Sequence, residues 1–357
     1  MASVIGWDIG GANTKAAFIN AKNGKVTNVR TATRYFPIWK NPEKLSAVLK
    51  DLKEEVTGLK DVDCVAVTMT AELSDAFRTK REGVQNVLEQ VARVFPSAQL
   101  LVLDVDAQLK SLTEALADPL RIAAANWAAT GWLVSQLLSN CVVVDVGSTT
   151  TSIIPIVNGT VSALGKTDLE KLVNGELVYT GSLRTNVAVI VNTVPTRLGL
   201  ARASSELFAQ SGDVHLILGN IKSEDYTVET ADRKGKTRSE ALARLARFIC
   251  ADTEMLSEEE IVQIAGYIHR KQVEQVAEGL RQVSGRLESM NQRKFSIVVA
   301  GMGRNFLARK AAEQAGFNEI IDLGELCGND VAKVTAAVGV ALMAASKLEG
   351  RTMHWTR

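Results

Sequence analysis

Residues 6–19 read GWDIGGANTKAAFI, and residues 143–154 repeat the same outline as VVDVGSTTTSII. Each stretch begins with an apolar strand that leads to an aspartate, continues through a turn of glycine and small polar residues, and ends in a second apolar strand. A pattern that recurs within one chain indicates structurally related segments. The two stretches therefore predict two related domains that face each other, each carrying a β-hairpin of the same design.

The two turns have the composition of phosphate-binding loops. A phosphate group needs convergent N–H donors with no side chains in the way, which glycine supplies, and hydroxyl groups at the bend add further donors. The predicted phosphate-binding residues are Gly10, Gly11, Asn13 and Thr14 in the first turn and Gly147, Ser148, Thr149 and Thr150 in the second. An ordinary hairpin would explain either stretch alone. The pair, with aspartate in the same place, favours a phosphate-bearing ligand in the cleft between the domains.

Asp8 and Asp145 each lie at the end of a strand, just before one of the turns. A carboxylate at this position can hold a hydrated Mg²⁺ that bridges to phosphate oxygens, since Mg²⁺ favours one or two carboxylates and keeps several waters. We therefore predict that Asp8 and Asp145 are metal ligands that converge on one anion. The expected ion is Mg²⁺, and Mn²⁺ is the alternative.

The remaining apolar pattern predicts an α/β chain. Up to residue 103 the order is strand, strand, strand, helix, strand, helix, strand, which indicates a mixed α/β domain. We place the first domain at residues 1–138 and the second at 139–350, with a substrate-specific insertion at about 165–294. A later glycine turn follows another strand. Its residues Gly301, Gly303 and Arg304 have the strand–glycine turn–helix order of a nucleotide-binding turn, and we predict that they lie on the side of the cleft where a nucleotide would bind.

The composition is typical of a globular protein that handles small molecules. Hydrophobic residues make up 46% of the 357 residues, and charged residues make up 23%. The net charge of +1 gives no overall field that would attract a nucleic acid or a membrane surface. We recognise no signal peptide, no membrane-spanning run and no CxxC pair among the four cysteines. We expect a cytoplasmic protein with small-molecule partners, no nucleic acid and no membrane, and a homodimer stays open.

Polar residues that follow the predicted strand at 62–69 are the candidate catalytic groups. Glu72 and Asp75 are three positions apart and would share one face if a helix begins there. One carboxylate could then take a proton while the other orients the substrate, and Lys15 beside the first turn would stabilise negative charge. The alternative is that Ser74 or Asp75 caps the next helix while Glu72 is solvated.

Five further residues are candidates for contact with the substrate. They are Asn126, Arg184, Asp213, His215 and Lys236. Asn126 lies on an alanine-rich helix, and the two cations lie in polar stretches where they could meet a phosphate or a carboxylate or be solvated. Asp213 and His215 flank the start of a strand that we predict at residues 214–218. They could hold a metal, although an oriented structural hydrogen bond is the commoner role of such a pair.

The hairpins and the later glycine turn resemble those of the actin-like ATPase superfamily, which contains acetate kinases, sugar kinases, heat-shock ATPases and actin. Other segments are similar to the hydantoinase/oxoprolinase-like proteins of tetrahydromethanopterin-linked one-carbon metabolism. These segments are TMTAELSDAF (68–77), TKREGV (79–84), IAAANWAATG (122–131), YTGSLRTNV (179–187), GDVHLILG (212–219) and TADRKGKT (230–237). The resemblance covers most of the chain. It departs at Ala71, where glycine is expected, and at Arg233 and Lys234, where Gly-Arg is expected.

This resemblance implies a two-domain actin-like ATPase fold of the ribonuclease H-like kind, with duplicated phosphate-binding hairpins. The group includes a transferase of methanofuran biosynthesis. The resemblance therefore implies that this chain serves a methanofuran- or methylofuran-type cofactor pathway. It would join a furanmethanol diphosphate to the phenol of a glutamyl-tyramine with loss of diphosphate and without a need for ATP. The alternatives are an ATP-dependent small-molecule kinase, a hydantoinase/oxoprolinase-type amidohydrolase and a non-catalytic sensor or assembly ATPase.

Overall fold

A computed structural model describes residues 2–58, 60–290 and 294–353. Contacts divide the chain into two compact units. Unit 1 comprises Met1–Val143, Ile154–Val173 and Leu323–Arg357, and unit 2 comprises Val144–Ile153 and Asn174–Asp322.

The described residues contain strands and helices in the mixed order of an α/β protein. The strands are β1 Ala2–Ile9, β2 Asn13–Lys22, β3 Lys25–Tyr35, β4 Cys64–Met69, β5 Gln99–Leu103, β6 Leu109–Ser111, β7 Cys141–Val146, β8 Thr151–Val157, β9 Thr160–Val161, β10 Leu177–Val178, β11 Thr193–Thr196, β12 Gly199–Arg202, β13 Ser296–Gly301 and β14 Ile320–Asp322. The helices are α1 Leu45–Thr57, α2 Lys80–Val94, α3 Leu112–Ala117, α4 Asn126–Ser135, α5 Asp168–Val173, α6 Ser211–Ile217, α7 Arg238–Arg247, α8 Glu258–Ser289, α9 Arg309–Gln314, α10 Leu323–Cys327, α11 Asn329–Lys333 and α12 Thr335–Glu349.

The first sheet lies in unit 1 and has the strand order β3-β2-β1-β4-β5-β6. β1 and β2 form the first predicted hairpin, and β2 turns into β3 at Asn23 and Gly24, whose φ angles of 55° and 76° suit a tight hairpin turn. β1 runs parallel to β4, and β4 runs parallel to β5. The residues of β4 are all buried, which is why its sequence CVAVTM is apolar throughout.

Helix α12 completes unit 1 and packs so closely against β1 and α4 that their backbones are in contact. A Cβ atom at Gly6 would lie 2.1 Å from the carbonyl oxygen of Ala337, and one at Gly339 would lie 2.3 Å from that of Ala129. Only small residues allow such an approach. The chain therefore returns to the first unit at its C-terminal end, whereas the predicted boundary at residue 138 assigned this helix to the second domain.

The second sheet has the order β10-β8-β7-β13-β14, with β9 paired to β8. β7 and β8 are the strands of the second predicted hairpin, and β11 pairs with β12 in a separate ribbon. Helix α8 is 32 residues long and begins at a capping box between Ser257 and Glu260. Both hairpins lie where the sequence predicts them.

The predicted strand at residues 214–218 is wrong, because this segment belongs to helix α6. Every residue of α6 is buried. A short run that is buried on all sides has no apolar periodicity to separate a helix from a strand. The alanine-rich helix predicted around Asn126 begins only at that residue, since Ala124 has a left-handed φ of 55°. Within the described residues no helix combines the length and apolar character that crossing a membrane demands.

Candidate functional site

The two hairpin turns have the same internal hydrogen bond. The amide of Gly10 donates to the carbonyl of Asn13 at 2.9 Å, and the amide of Gly147 donates to the carbonyl of Thr150 at 2.9 Å. This equivalence confirms the repeat that the sequence predicts. It also corrects one detail, because these two glycine amides are used inside the turns and are not available to a phosphate. At Gly11 the turn is open on the side-chain side, since a Cβ atom there would meet nothing within 4 Å.

Asp8 lies at the edge of the first sheet where β1 and β4 both end. Its register partner in β4 is Thr68. The carboxylate is 3% exposed, and its Oδ2 accepts a hydrogen bond from Nζ of Lys15 at 3.0 Å. Its Oδ1 and the hydroxyl of Thr14 are buried and have no hydrogen-bond partner within the described residues. Buried oxygens of this kind are normally satisfied, so this edge has the chemistry of a place where a ligand, a metal or water supplies the partner.

Glu72 follows β4 at the same edge, in a single 3-10 turn of Ala71–Leu73. It is 1% exposed, and neither of its carboxylate oxygens has a hydrogen-bond partner among the described residues. Helix α2 lies directly on this turn, because Gly83 leaves no side chain between them: a Cβ atom there would lie 2.6 Å from Cα of Glu72. The turn is therefore held in place by close packing, and the carboxyl is enclosed.

Burial raises the pKa of Glu72 to about 7. The ammonium of Lys80, 3.9 Å from Oε1, acts in the opposite direction and lowers this pKa, as do nearby backbone amides of Glu72 itself and Ala124. Asp168 raises it further by repulsion, and its Oδ2 lies 2.6 Å from Nζ of Lys80. A carboxyl with a pKa near neutrality can both accept and release a proton under ordinary conditions.

The predicted partnership of Glu72 and Asp75 is wrong in its geometry. The 3-10 turn ends at Leu73, and Ser74 is extended, so the two carboxylates do not share a helical face. Asp75 is exposed. The alternative also fails, since the side chain that caps helix α2 is that of Thr79, and Glu72 is buried instead of solvated.

Sequence reasoning missed Lys80 and Asp168. Lys80 lies inside the TKREGV segment, whose similarity to the family was the one signal available. Asp168 is 88 positions further along the chain and lies in no quoted motif. A pairing between such distant positions leaves no local pattern. Asn126 is partly exposed as the first residue of α4, and it was predicted as a substrate contact.

In unit 2, the segment at residues 179–187 braces the second turn. The amide of Ser182 donates to the carbonyl of Gly147 at 2.9 Å, and the amide of Arg184 donates to that of Ser148 at 3.0 Å. The guanidinium of Arg184 also donates to the hydroxyl of Thr149 at 3.3 Å. This places a predicted substrate-binding cation beside the predicted phosphate-binding residues.

The later glycine turn packs on the same hairpin within unit 2. Gly301 has a left-handed φ of 82°, and a Cβ atom there would lie 2.3 Å from the carbonyl oxygen of Val146 and 2.5 Å from Oδ1 of Asp145. Gly303 donates its amide to the carbonyl of Val146 at 3.1 Å. The structure therefore brings the glycine turn, Asp145 and the second hairpin together. Arg304 is buried and forms an ion pair with Asp322 at 3.0 Å, so its guanidinium is engaged inside the unit.

Asp213 and His215 are buried on helix α6 and do not form a metal pair. Oδ1 of Asp213 accepts from Nε of Arg244 at 2.9 Å, and the ring nitrogens of His215 lie within hydrogen-bonding distance of Gln272 and Asn220. Burial lowers the pKa of His215 to about 3, so the ring is neutral. Across the part of the chain that the structure describes, no cluster of three or more His, Cys, Asp or Glu residues is arranged to hold a metal.

Lys236 is partly exposed, and its Nζ lies 5.7 Å from the ring centroid of Tyr226. Burial lowers its pKa. The loop that carries it is anchored by Asp232, which forms ion pairs with Arg244 at 3.2 Å and with Arg247 at 3.3 Å. The φ of Arg233 in this loop is 57°, a left-handed value that explains why glycine is expected at this position.

The duplicated hairpins on mixed sheets define a protein with the actin-like ATPase fold. The sequence profile of the hydantoinase/oxoprolinase family matches residues 63–347, and the chain belongs to this family. Among solved structures, the nucleotide-free structure of acetone carboxylase is similar in fold, with a TM-score of 0.55 and 12% identity over 96% of this chain and 70% of that one.

Two curated relatives have the same name, (4-{4-[2-(gamma-L-glutamylamino)ethyl]phenoxymethyl}furan-2-yl)methanamine synthase. The one from Methanocaldococcus jannaschii is 37% identical over 347 residues, which are 97% of this chain and 98% of the relative. The one from Methanococcus vannielii is 36% identical over 221 residues, which are 61% of this chain and 97% of the relative. The resemblance that the sequence indicates is therefore confirmed at the level of the family and of its named members.

Proposed function

We propose that this protein is a transferase of methanofuran-type cofactor biosynthesis that forms an aryl-alkyl ether and releases diphosphate. The observation that carries the proposal is the buried carboxyl of Glu72, whose pKa is raised to about 7, at the edge where β1 and β4 end. The similarity to synthases whose printed name describes a phenoxymethyl-furan product supports the same reaction.

The proposed step joins a phenol to a furanmethyl carbon. The phenolic oxygen forms a new bond to the CH₂ group, the bond from that carbon to the diphosphate oxygen breaks, and its electron pair leaves with diphosphate. The phenolic proton passes to the carboxylate of Glu72. A free phenol has a pKa of about 10, so it needs a base at neutral pH, and a base with a pKa near the working pH is the most effective.

Each hairpin turn, together with its cation, is proposed as a binding site for phosphate groups within its own unit. In unit 1 the ammonium of Lys15, which pairs with Asp8, offers positive charge to an anion, and Gly11 leaves space beside it. In unit 2 the residues Ser148 and Thr149 offer hydroxyl groups beside the guanidinium of Arg184. Asn126 and Lys236 stay proposed contacts of the phenolic substrate and its glutamyl carboxylate.

A Mg²⁺ ion fits the donor set at Asp8. Its Oδ1 is buried and lacks a donor within the described residues, and a hard cation accepts a single carboxylate when phosphate and water complete its shell. Asp145 is proposed as a metal ligand in unit 2. When bound, Mg²⁺ or Mn²⁺ would neutralise the charge that develops on diphosphate. Four free cysteines also fit our proposal that the protein works in a reducing cytoplasm.

The test is a turnover assay with glutamyl-tyramine and an aminomethyl-furanmethanol diphosphate in the presence of Mg²⁺, with and without ATP. We expect ether and diphosphate to appear in equal amounts without ATP. We also expect a chelator to abolish turnover and added Mg²⁺ or Mn²⁺ to restore it. Absence of the ether in every arm, or a strict requirement for ATP consumption, would overturn the proposal.

A further inference from the structure

Buried carboxylates in unit 2 are neutralised by arginines in direct contact. Asp213 pairs with Arg244 at 2.8 Å, and Glu176 pairs with Arg286 at 2.5 Å. Glu72 in unit 1 is different. The nearest cation recorded for it is the ammonium of Lys80, which lies 3.9 Å away and is in closer contact with another carboxylate.

We propose that Lys80 and Asp168 are positioning residues for Glu72: Asp168 holds the Lys80 ammonium beyond hydrogen-bonding reach of Glu72, and this sets how tightly Glu72 holds its proton. The inference rests on the proposed function, because it gives Glu72 a role that requires a tuned proton affinity. Lys80 and Asp168 are not proposed to touch the reacting atoms.

The packing keeps this arrangement in place. Lys80 is the first residue of α2, directly after the cap at Thr79, and Gly83 one turn later brings the helix against the turn of Glu72. Asp168 is the first residue of α5. The ammonium is therefore fixed between two carboxylates that come from different elements, at 2.6 Å from one and at 3.9 Å from the other.

The charges around Glu72 act in opposite directions. The ammonium of Lys80 and the amides of Glu72 and Ala124 favour the ionised carboxylate, and Asp168 disfavours it. Asp168 also draws the ammonium away. Removal of Lys80 should therefore strengthen the hold of Glu72 on its proton, and removal of the Asp168 charge should weaken it, because the ammonium is then free to approach Glu72.

The experiment measures this titration directly in the full chain. Protein labelled with ¹³C at its glutamate carboxyl carbons is titrated by NMR, and the Glu72 signal is assigned by its loss in Glu72→Gln. We expect the Glu72 titration midpoint to rise by about one pH unit or more in Lys80→Met, to fall by a similar amount in Asp168→Asn, and to stay near the wild-type value in Lys80→Arg. Lys310→Met is the matched control, because it removes a lysine from the ion pair with Glu313 on α9. It should leave the Glu72 titration midpoint unchanged.

The same variants are assayed for turnover against pH. The acid limb of kcat/KM should follow the NMR midpoint, to higher pH in Lys80→Met and to lower pH in Asp168→Asn. Midpoints that do not move, or that move in the same direction in both folded variants, would overturn the inference.

The two readouts separate this inference from the proposed function. If the ether never forms but the Glu72 midpoints move in opposite directions, the positioning pair stands and the assigned reaction fails. If turnover is present but the midpoints stay fixed, the reaction stands and the positioning pair fails.

Discussion

The two hairpins have the same turn, but their surroundings differ. In unit 1 the hairpin is part of a sheet edge that carries Asp8 and Glu72, buried carboxylates whose oxygens are incompletely paired within the described residues. In unit 2 the hairpin is braced by the segment at residues 179–187 and by the glycine turn at Gly301 and Gly303, and nearby buried carboxylates are matched by arginines. One duplicated motif is therefore found beside incompletely paired buried carboxylates in unit 1 and beside paired ones in unit 2.

The largest effect is expected from Glu72→Gln, which removes the proposed base of unit 1. A general base contributes about 10²- to 10⁴-fold to a rate, so we expect turnover to fall by at least about 100-fold while the fold is kept. The measurement is kcat with the phenol and the furan diphosphate, together with a thermal melt. Asp75→Asn is the control, since Asp75 is exposed and should change kcat less than about threefold. Equal activity in the wild type and Glu72→Gln would remove Glu72 from the mechanism.

Removing the arginine partner of a buried carboxylate in unit 2 should lower the stability of the protein. Arg244→Met leaves Asp213 buried without its cation, which should lower the free energy of unfolding by about 3–5 kcal/mol. Urea unfolding of the variant measures this loss. Arg197→Met removes an exposed arginine from its pair with Glu260 and should cost about 1 kcal/mol or less. If the two variants were equally stable, the contrast between buried and surface pairs in this unit would be wrong.

The raised pKa of Glu72 also predicts a pH dependence of stability. The folded-state pKa lies near 7 and the model value is 4.5, so the unfolded chain releases this proton first as pH rises. Protonation of Glu72 therefore stabilises the folded chain below about pH 4.5, and this contribution is lost as pH rises to about 7. The free energy of unfolding changes by roughly 3 kcal/mol over this range. We expect the stability difference between wild type and Glu72→Gln to change by this amount across that range. For Asp75→Asn, the difference from wild type in the free energy of unfolding should stay constant across this pH range. A constant difference for Glu72→Gln would contradict the raised pKa.

The glycine turn of unit 2 should tolerate no side chain. Gly301→Ala places a methyl group against the carbonyl of Val146 at a left-handed φ, and we expect a loss of about 1–3 kcal/mol in the free energy of unfolding together with weaker diphosphate binding. Gly285→Ala on helix α8 is the matched control, because a Cβ atom there meets nothing within 4 Å. It should raise stability by up to about 1 kcal/mol. A Gly301→Ala variant as stable as wild type would show that the turn is not rigid.

Much of the fold is predictable because its signals are local. The hairpins are marked by an aspartate followed by glycine and small polar residues, and α8 by its acidic first turn and regular apolar spacing. The strand predicted at residues 214–218 failed because α6 is buried on all sides and its sequence has no periodicity to read. The closing helix was assigned to the wrong half because its packing on Gly6 joins positions at opposite ends of the chain.

The site is predictable only in part, for the same reason. Glu72 was recognised because it directly follows a strand and lies in a segment similar to the family. The pKa that makes it suitable as a base depends on its enclosure and on Lys80 and Asp168, which meet through the fold and not through the sequence. Asp213 and His215 look functional as sequence neighbours, yet their polar partners Arg244 and Gln272 lie far along the chain.

The central claim is that Glu72 removes the phenolic proton, and a substrate with a more acidic phenol tests it most directly. Wild type and Glu72→Gln are assayed near neutral pH with glutamyl-tyramine and with its ring-fluorinated analogue, whose phenol ionises more readily. We expect fluorination to raise the rate of Glu72→Gln by about tenfold or more and to change the wild-type rate by less than about threefold. If fluorination fails to rescue Glu72→Gln, or raises both rates equally, Glu72 is not the base.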